Sequence, residues 1–140
     1  MATMRFCADI RDLVKIREFV VRASHAFAVD DRIIPDLELV ADELCSNVIT
    51  HGYNGQGGWI EITVQPVDQG VQLRIRDWGR SFDPASVPLP NIEAPLEERA
   101  LGGLGLFLVQ KLMDEVQFET SGGDGNVITV IKRSQAEEEG

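Results

Sequence analysis

The sequence predicts a two-layer α/β sandwich, with helices on one face of a mixed, mostly antiparallel sheet. Three observations predict it. Two amphipathic helical patterns lie before residue 54; strand-type alternation occurs twice as a hairpin, over residues 60–75 and 116–132; and an apolar helix opened by glycines stands between the hairpins. Strands with one apolar side need a cover, and the three helical stripes supply it.

The chain has 140 residues, 44% of them hydrophobic, which suits one domain over residues 1–134 followed by an acidic tail at 135–140. A formal net charge of −10 repels nucleic acid and anionic membrane, so a protein partner is expected over either. Cys7 and Cys45 are the only cysteines, far apart, and Cys45 falls on an apolar stripe; a reducing, cytoplasmic setting follows. No apolar run approaches the ~20 residues of a membrane span, and the first residues lack a secretory pattern.

Met4 to Ala8 reads as an edge strand, and Asp9 as the cap of a helix from Ile10 to about Ala28, with Leu13, Ile16, Val20, Ala23 and Phe27 on its apolar seam. Pro35 to Tyr53 reads as a second helix, with Pro35 in its first turn and Leu37, Val40, Ala41, Leu44, Cys45 and Val48 forming one stripe. Gly52, Asn54, Gly55, Gly57 and Gly58 end it in a turn-rich loop. Ile60, Ile62 and Val64, then Val71, Leu73 and Ile75, alternate about Asp68-Gln69-Gly70 as a hairpin. Residues 85–99, with three prolines and no periodicity, read as a long loop of the kind that covers a binding site. Leu106 to Met113 continue the glycine-opened run as a buried helix, and a second hairpin turns about residues 122–125.

Glu43, Asn47 and His51 follow one another at intervals of four on the second helix, which stacks them in one row beside the apolar stripe. A carboxylate, a carboxamide and an imidazole so placed could act on a phosphate and its metal; the same pattern also suits an ordinary solvated helix face. Asp77 shares the parity of Val71, Leu73 and Ile75, so its carboxylate points to the core side of the sheet and needs a donor, from the protein or from a ligand amine. Backbone amides at the Gly103-Leu104-Gly105-Leu106 helix start form an anion site.

The order Glu43-x-x-x-Asn47-x-x-x-His51, Asp77-x-Gly79 and Gly103-x-Gly105 resembles the GHKL ATPase superfamily, with its Bergerat fold. DELCSNVITHGY and GGLGLFLVQKLMDEV are similar to the small anti-sigma-factor serine/threonine protein kinases, over about Leu37 to Lys132. That resemblance implies ATP and Mg²⁺ as cofactors. Glu43 would be the catalytic base and Asn47 the metal ligand, with His51 near the phosphates. Asp77 would accept from the adenine amino group, Gly79 would let backbone approach the base, and Gly103 and Gly105 would hinge the lid and present amides to the triphosphate, with Leu104 and Leu106 beside them in the nucleotide-binding set. Arg99 would reach the terminal phosphate. Two departures stand out: Ser81 occupies a place usually held by glycine, and the late Gly-Thr pair of the family is replaced by Gly125-Asn126, with Thr129 three residues on.

The resemblance implies a kinase that phosphorylates a STAS-type antagonist, sequesters a sigma factor in exchange, and dimerises through its first strand and helix. The alternative is an ATP-sensing module that clamps its partner without phosphorylating it. A histidine-kinase fragment fits less well, because no phosphoacceptor helix accompanies these motifs; His25 alone does not make one.

Overall fold

The five strands of the computed structural model, which describes residues 1–79, 103–120 and 125–134 (backbone alone for 103–106), are β1 (Ala2–Cys7), β2 (Trp59–Val67), β3 (Gly70–Asp77), β4 (Glu115–Thr120) and β5 (Asn126–Arg133). They form one sheet in the order β1-β2-β3-β5-β4. Every pairing among the described residues is antiparallel, so the parallel component of the expected mixed sheet is not seen among them. Register follows the side-chain pattern: Ile62 opposes Ile75 and Val64 opposes Leu73, and Ile75 and Leu73 in turn oppose Ile128 and Val130. A slip of one residue would expose this whole set, and that is what fixes the alignment.

Helices α1 (Leu13–Ala26), α2 (Ile34–Asn47) and α3 (Gly103–Leu112) pack α1 on α2 and α2 on α3, with Ile16, Val20, Leu37, Val40, Ala41 and Val109 buried in one cluster with the strand residues. Each fully buried aliphatic side chain contributes about 1.5–3 kcal/mol, so this interface is the main source of stability. Two polar ties bind the helices to their surroundings. Arg17 Nη1 donates to Asp42 Oδ1 at 2.6 Å between α1 and α2. Lys132 Nζ donates at 2.7 Å to the carbonyl of Leu112, an α3 end group with no partner inside the helix, and lies 3.6 Å from Asp36 in the first turn of α2.

The termini of α1 follow from local chemistry. Asp9 Oδ1 accepts from Arg11 N at 2.8 Å, as its capping role requires, although the first turn is a 3₁₀ turn over Ile10–Asp12. At the other end Ala28 adopts φ 57°, Ala28 N bonds to His25 O and Val29 N to Ser24 O, a closure that glycine usually provides. Pro35 occupies the first turn of α2 as expected.

The second helix departs from expectation. It does not run as one α-helix to Tyr53: α2 ends at Asn47 and a π-helical turn covers Val48–Gly52, closed by Tyr53 N donating to Val48 O at 2.9 Å. A wider turn rotates less per residue, so His51 falls out of the straight row that an unbroken helix would have given it with Glu43 and Asn47. Residues 80–102, 121–124 and 135–140 lie outside the described residues, and with them the expected lid, Ser81, Arg99, the turn of the second hairpin and the acidic tail.

Candidate functional site

The C-terminal end of β3 carries the one buried carboxylate among the described residues. Asp77 is 7% exposed, on the core side predicted from its parity, and Ser24 is the only other buried polar side chain there. Ser24 is satisfied by its own helix, its hydroxyl donating to Val20 O at 2.7 Å. Asp77 is satisfied on one oxygen only. Its Oδ1 accepts from Gly79 N at 2.9 Å and from Asn126 Nδ2 at 3.1 Å; among the described residues no donor reaches Oδ2. A buried carboxylate with an open acceptor calls for a donor from outside.

The turn that follows Asp77 is held from three sides. Tyr53 Oη donates to Trp59 O at 2.7 Å and accepts from Trp78 N at 2.8 Å, joining the end of the π turn, the start of β2 and the end of β3. Gly79 lies against the helix end so closely that a β-carbon on it would sit 2.6 Å from Gly52 O. Protein packing alone therefore demands glycine here, whatever the base would also require. Gly125, at φ 88°, packs in the same way on the carbonyl of Asp77.

Opposite this turn stands the α2 face. Gly52 lies near Asp77: a β-carbon added to it would be 3.7 Å from Asp77 Oδ1. The buried Cys45 thiol on the same helix is pushed up by burial first and then by the charges of Asp42 and Asp77. Glu43 and Asn47 are half-buried on α2, and His51 is half-buried on the π turn. Among the described residues none of the three makes a hydrogen bond or ion pair. Three partly buried polar groups without partners among the described residues could receive a ligand.

Of the other site residues expected from sequence, Gly103 and Gly105 open α3 in backbone, leaving first-turn amides without intrahelical acceptors. The side chains of Leu104 and Leu106, and all of Arg99, lie outside the described residues. No three His, Cys, Asp or Glu side chains converge as a metal set among the described residues. The donor set still suits Mg²⁺, which characteristically takes one or two protein oxygens and completes its shell with phosphates and water; Asn47 could supply such an oxygen. An open groove lined by Cys7, Ile10, Ile49, Gly57 and Trp59 contains none of these residues.

Two contacts are not assigned from sequence, although the resemblance already marks the Gly125-Asn126 pair as a departure. Asn126 faces Asp77 because the two are direct cross-strand partners, a fact available only once the β3–β5 register is known. Tyr53 gave one signal, a phenol at a helix end whose hydroxyl would need a partner on burial.

An acid and an amide on α2, an imidazole on the π turn, a carboxylate at the end of β3 with one oxygen open among the described residues, and a glycine-opened α3 are the groups that the structure offers. The family profile described as the histidine kinase-like ATPase domain matches residues 6–132. The chain belongs to this family. It is 33% identical over 119 residues to the serine-protein kinase RsbW of Bacillus cereus (strain AH187), and to the proteins of that name from Bacillus anthracis and Bacillus thuringiensis (strain Al Hakam); each match covers 81% of this chain and 73% of the relative. The crystal structure of the RsbU and RsbW domains of Rv1364c from Mycobacterium tuberculosis superimposes with a TM-score of 0.62 at 17% identity, covering 95% of this chain. This chain spans about a third of that one, 32%, and the likeness shows the fold. The expected anti-sigma-factor kinase family and α/β sandwich both hold. No described helix is long and apolar enough to cross a membrane.

Proposed function

We propose that the protein is an ATP- and Mg²⁺-dependent serine/threonine protein kinase that phosphorylates a STAS-type antagonist and, as an anti-sigma factor in the cytoplasm, sequesters a sigma factor when that antagonist is phosphorylated. The observation that carries the reading is Asp77, buried at 7% exposure, whose Oδ2 has no donor among the described residues, in a chain whose half-buried Glu43, Asn47 and His51 likewise have no partner among them. Asp77 Oδ2 accepts from the adenine amino group. Asn47 would give an oxygen to Mg²⁺, which would neutralise phosphate charge, while the α3 amides at Gly103 to Leu106 would receive the triphosphate and His51 would lie near it. Glu43, about 6 Å from Asn47 along the helix, takes the proton from the attacking serine hydroxyl. Arg99 is proposed for the terminal phosphate. Support for the kinase half comes from the relatives, which are named serine-protein kinases.

Dimerisation through β1 and α1 belongs to the same proposal. β1 pairs only with β2 among the described residues, and Met4 on that strand, Ile10 on the turn after it and Val14 on α1 are exposed.

Incubation with ATP, Mg²⁺ and a cognate STAS protein is expected to give phosphoserine on that protein. Glu43→Gln abolishes transfer and leaves ATP affinity within about threefold, whereas Asn47→Ala and Asp77→Asn each weaken ATP binding about tenfold or more in calorimetry. Partner binding that depends on ATP but forms no phosphoprotein would replace the kinase with a clamp. Unchanged ATP affinity in both pocket variants would end the nucleotide reading.

A further inference from the structure

Resting on the nucleotide reading above, we infer that Asn126 is a positioning residue that makes the base pocket selective for a 6-amino purine over a 6-oxo purine. Asn126 opens β5 directly opposite Asp77, and its Nδ2 lies 3.1 Å from Asp77 Oδ1 and 3.3 Å from Gly79 O. Both neighbours are acceptors, so it is the amide NH₂ that faces them. One NH₂ group therefore bridges the carboxylate and the carbonyl two residues later, closing the Asp77-Trp78-Gly79 turn on itself.

The bridge has a consequence for recognition. With Gly79 N also on Oδ1 at 2.9 Å, that oxygen has two donors, and the carboxylate cannot rotate without breaking both. What Asp77 offers, among the described residues, is one fixed acceptor, Oδ2. A fixed, buried acceptor receives an exocyclic amine and meets a keto oxygen as acceptor against acceptor, a mismatch that leaves the carboxylate unpaired. Were Asn126 to lose its donor, Asp77 would keep only the Gly79 amide and could turn, so that a water could reach Oδ2 and bridge a keto group. The structure thus assigns to a carboxamide the clasp at the end of the base pocket.

The test compares ATP with inosine triphosphate on the full chain. The unmodified protein is expected to bind ATP about a hundredfold more tightly. Asn126→Val removes the donor at a strand position that accepts a β-branched residue, and the ATP:ITP ratio is expected to fall about tenfold. Asn126→Thr, close to valine in shape but carrying a hydroxyl donor, is expected to restore most of the ratio. A merely structural role would lower the Tm of the valine variant and weaken both nucleotides equally; an unchanged ratio in that variant overturns the inference. Should Asn126→Val not fold, Asn126→Ala serves in its place with the same two outcomes. Failure of the unmodified chain to bind ATP would instead remove the nucleotide reading, and this inference with it.

Discussion

Gly79 rests on Gly52 backbone to backbone: a single β-carbon on Gly79 would stand 2.6 Å from Gly52 O and 2.7 Å from its carbonyl carbon. Neither neighbour can yield as a flexible side chain would. Gly79→Ala is therefore expected to destabilise the fold by about 1–3 kcal/mol, as overpacking does, in urea unfolding. Nucleotide affinity should fall as well, because the same shift displaces the amide that holds Asp77 Oδ1.

Tyr53 carries two backbone groups on one oxygen. Tyr53→Phe removes an acceptor from Trp78 N and a donor from Trp59 O, and is expected to cost about 1–2 kcal/mol, read as a shift in unfolding midpoint at constant m. No shift would mean that water replaces both bonds.

Much of this arrangement was legible in the sequence. Alternation at residues 60–75 gave the first hairpin and placed Asp77 inward, because a strand has only two faces and its neighbours Leu73 and Ile75 declare which one is buried. The stripe on α2 was equally plain. The π turn was not, since inserting it changes the ring size of a few backbone bonds and leaves no mark on residue type. The bond from Asn126 to Asp77 stayed hidden for a different reason: it joins residues 49 apart in the chain, and sequence alone does not fix the register that brings them together.

Ala28 holds φ 57°, a left-handed conformation in which its β-carbon is crowded. Ala28→Gly should relieve that strain, partly offset by the greater freedom of glycine in the unfolded chain, for a net gain of about 0.5–1 kcal/mol. A rise of a few degrees in Tm is expected; a fall would show that the methyl group is needed in place.

The two cysteines should separate by reactivity. Burial, and then Asp42 and Asp77, push the Cys45 thiol up, whereas Cys7 is exposed. A thiol reagent at pH 8 is expected to label one cysteine per chain rapidly and the second only in denaturant. Cys7→Ser should abolish the fast phase.

Acid should remove stability at two carboxylates that arginines hold ionised. Hydrogen bonds from the side chain and then the backbone of Arg11 hold the Asp9 carboxyl at about 2, below its ordinary 3.8, and Arg32 does the same for Asp30. A carboxyl lowered on folding stabilises the native state above its unfolded value and loses that contribution as pH falls through the folded one. Carboxyl resonances of Asp9 and Asp30 are expected to titrate near 2, and the loss of stability attributable to them falls between about pH 4 and pH 2. Midpoints near 3.8 would show that these pairs do not persist in solution.

The π turn also makes chain length, and not only composition, a constraint on this molecule. Removing one residue from Val48–Gly52 would let α2 wind on without interruption, and every group beyond the excision would swing around the axis. Gly52 would then leave Gly79, although no residue of the pocket had been substituted. Single deletions scanned through the chain should accordingly be tolerated at the open Gly55–Gly57 bend and rejected five residues earlier.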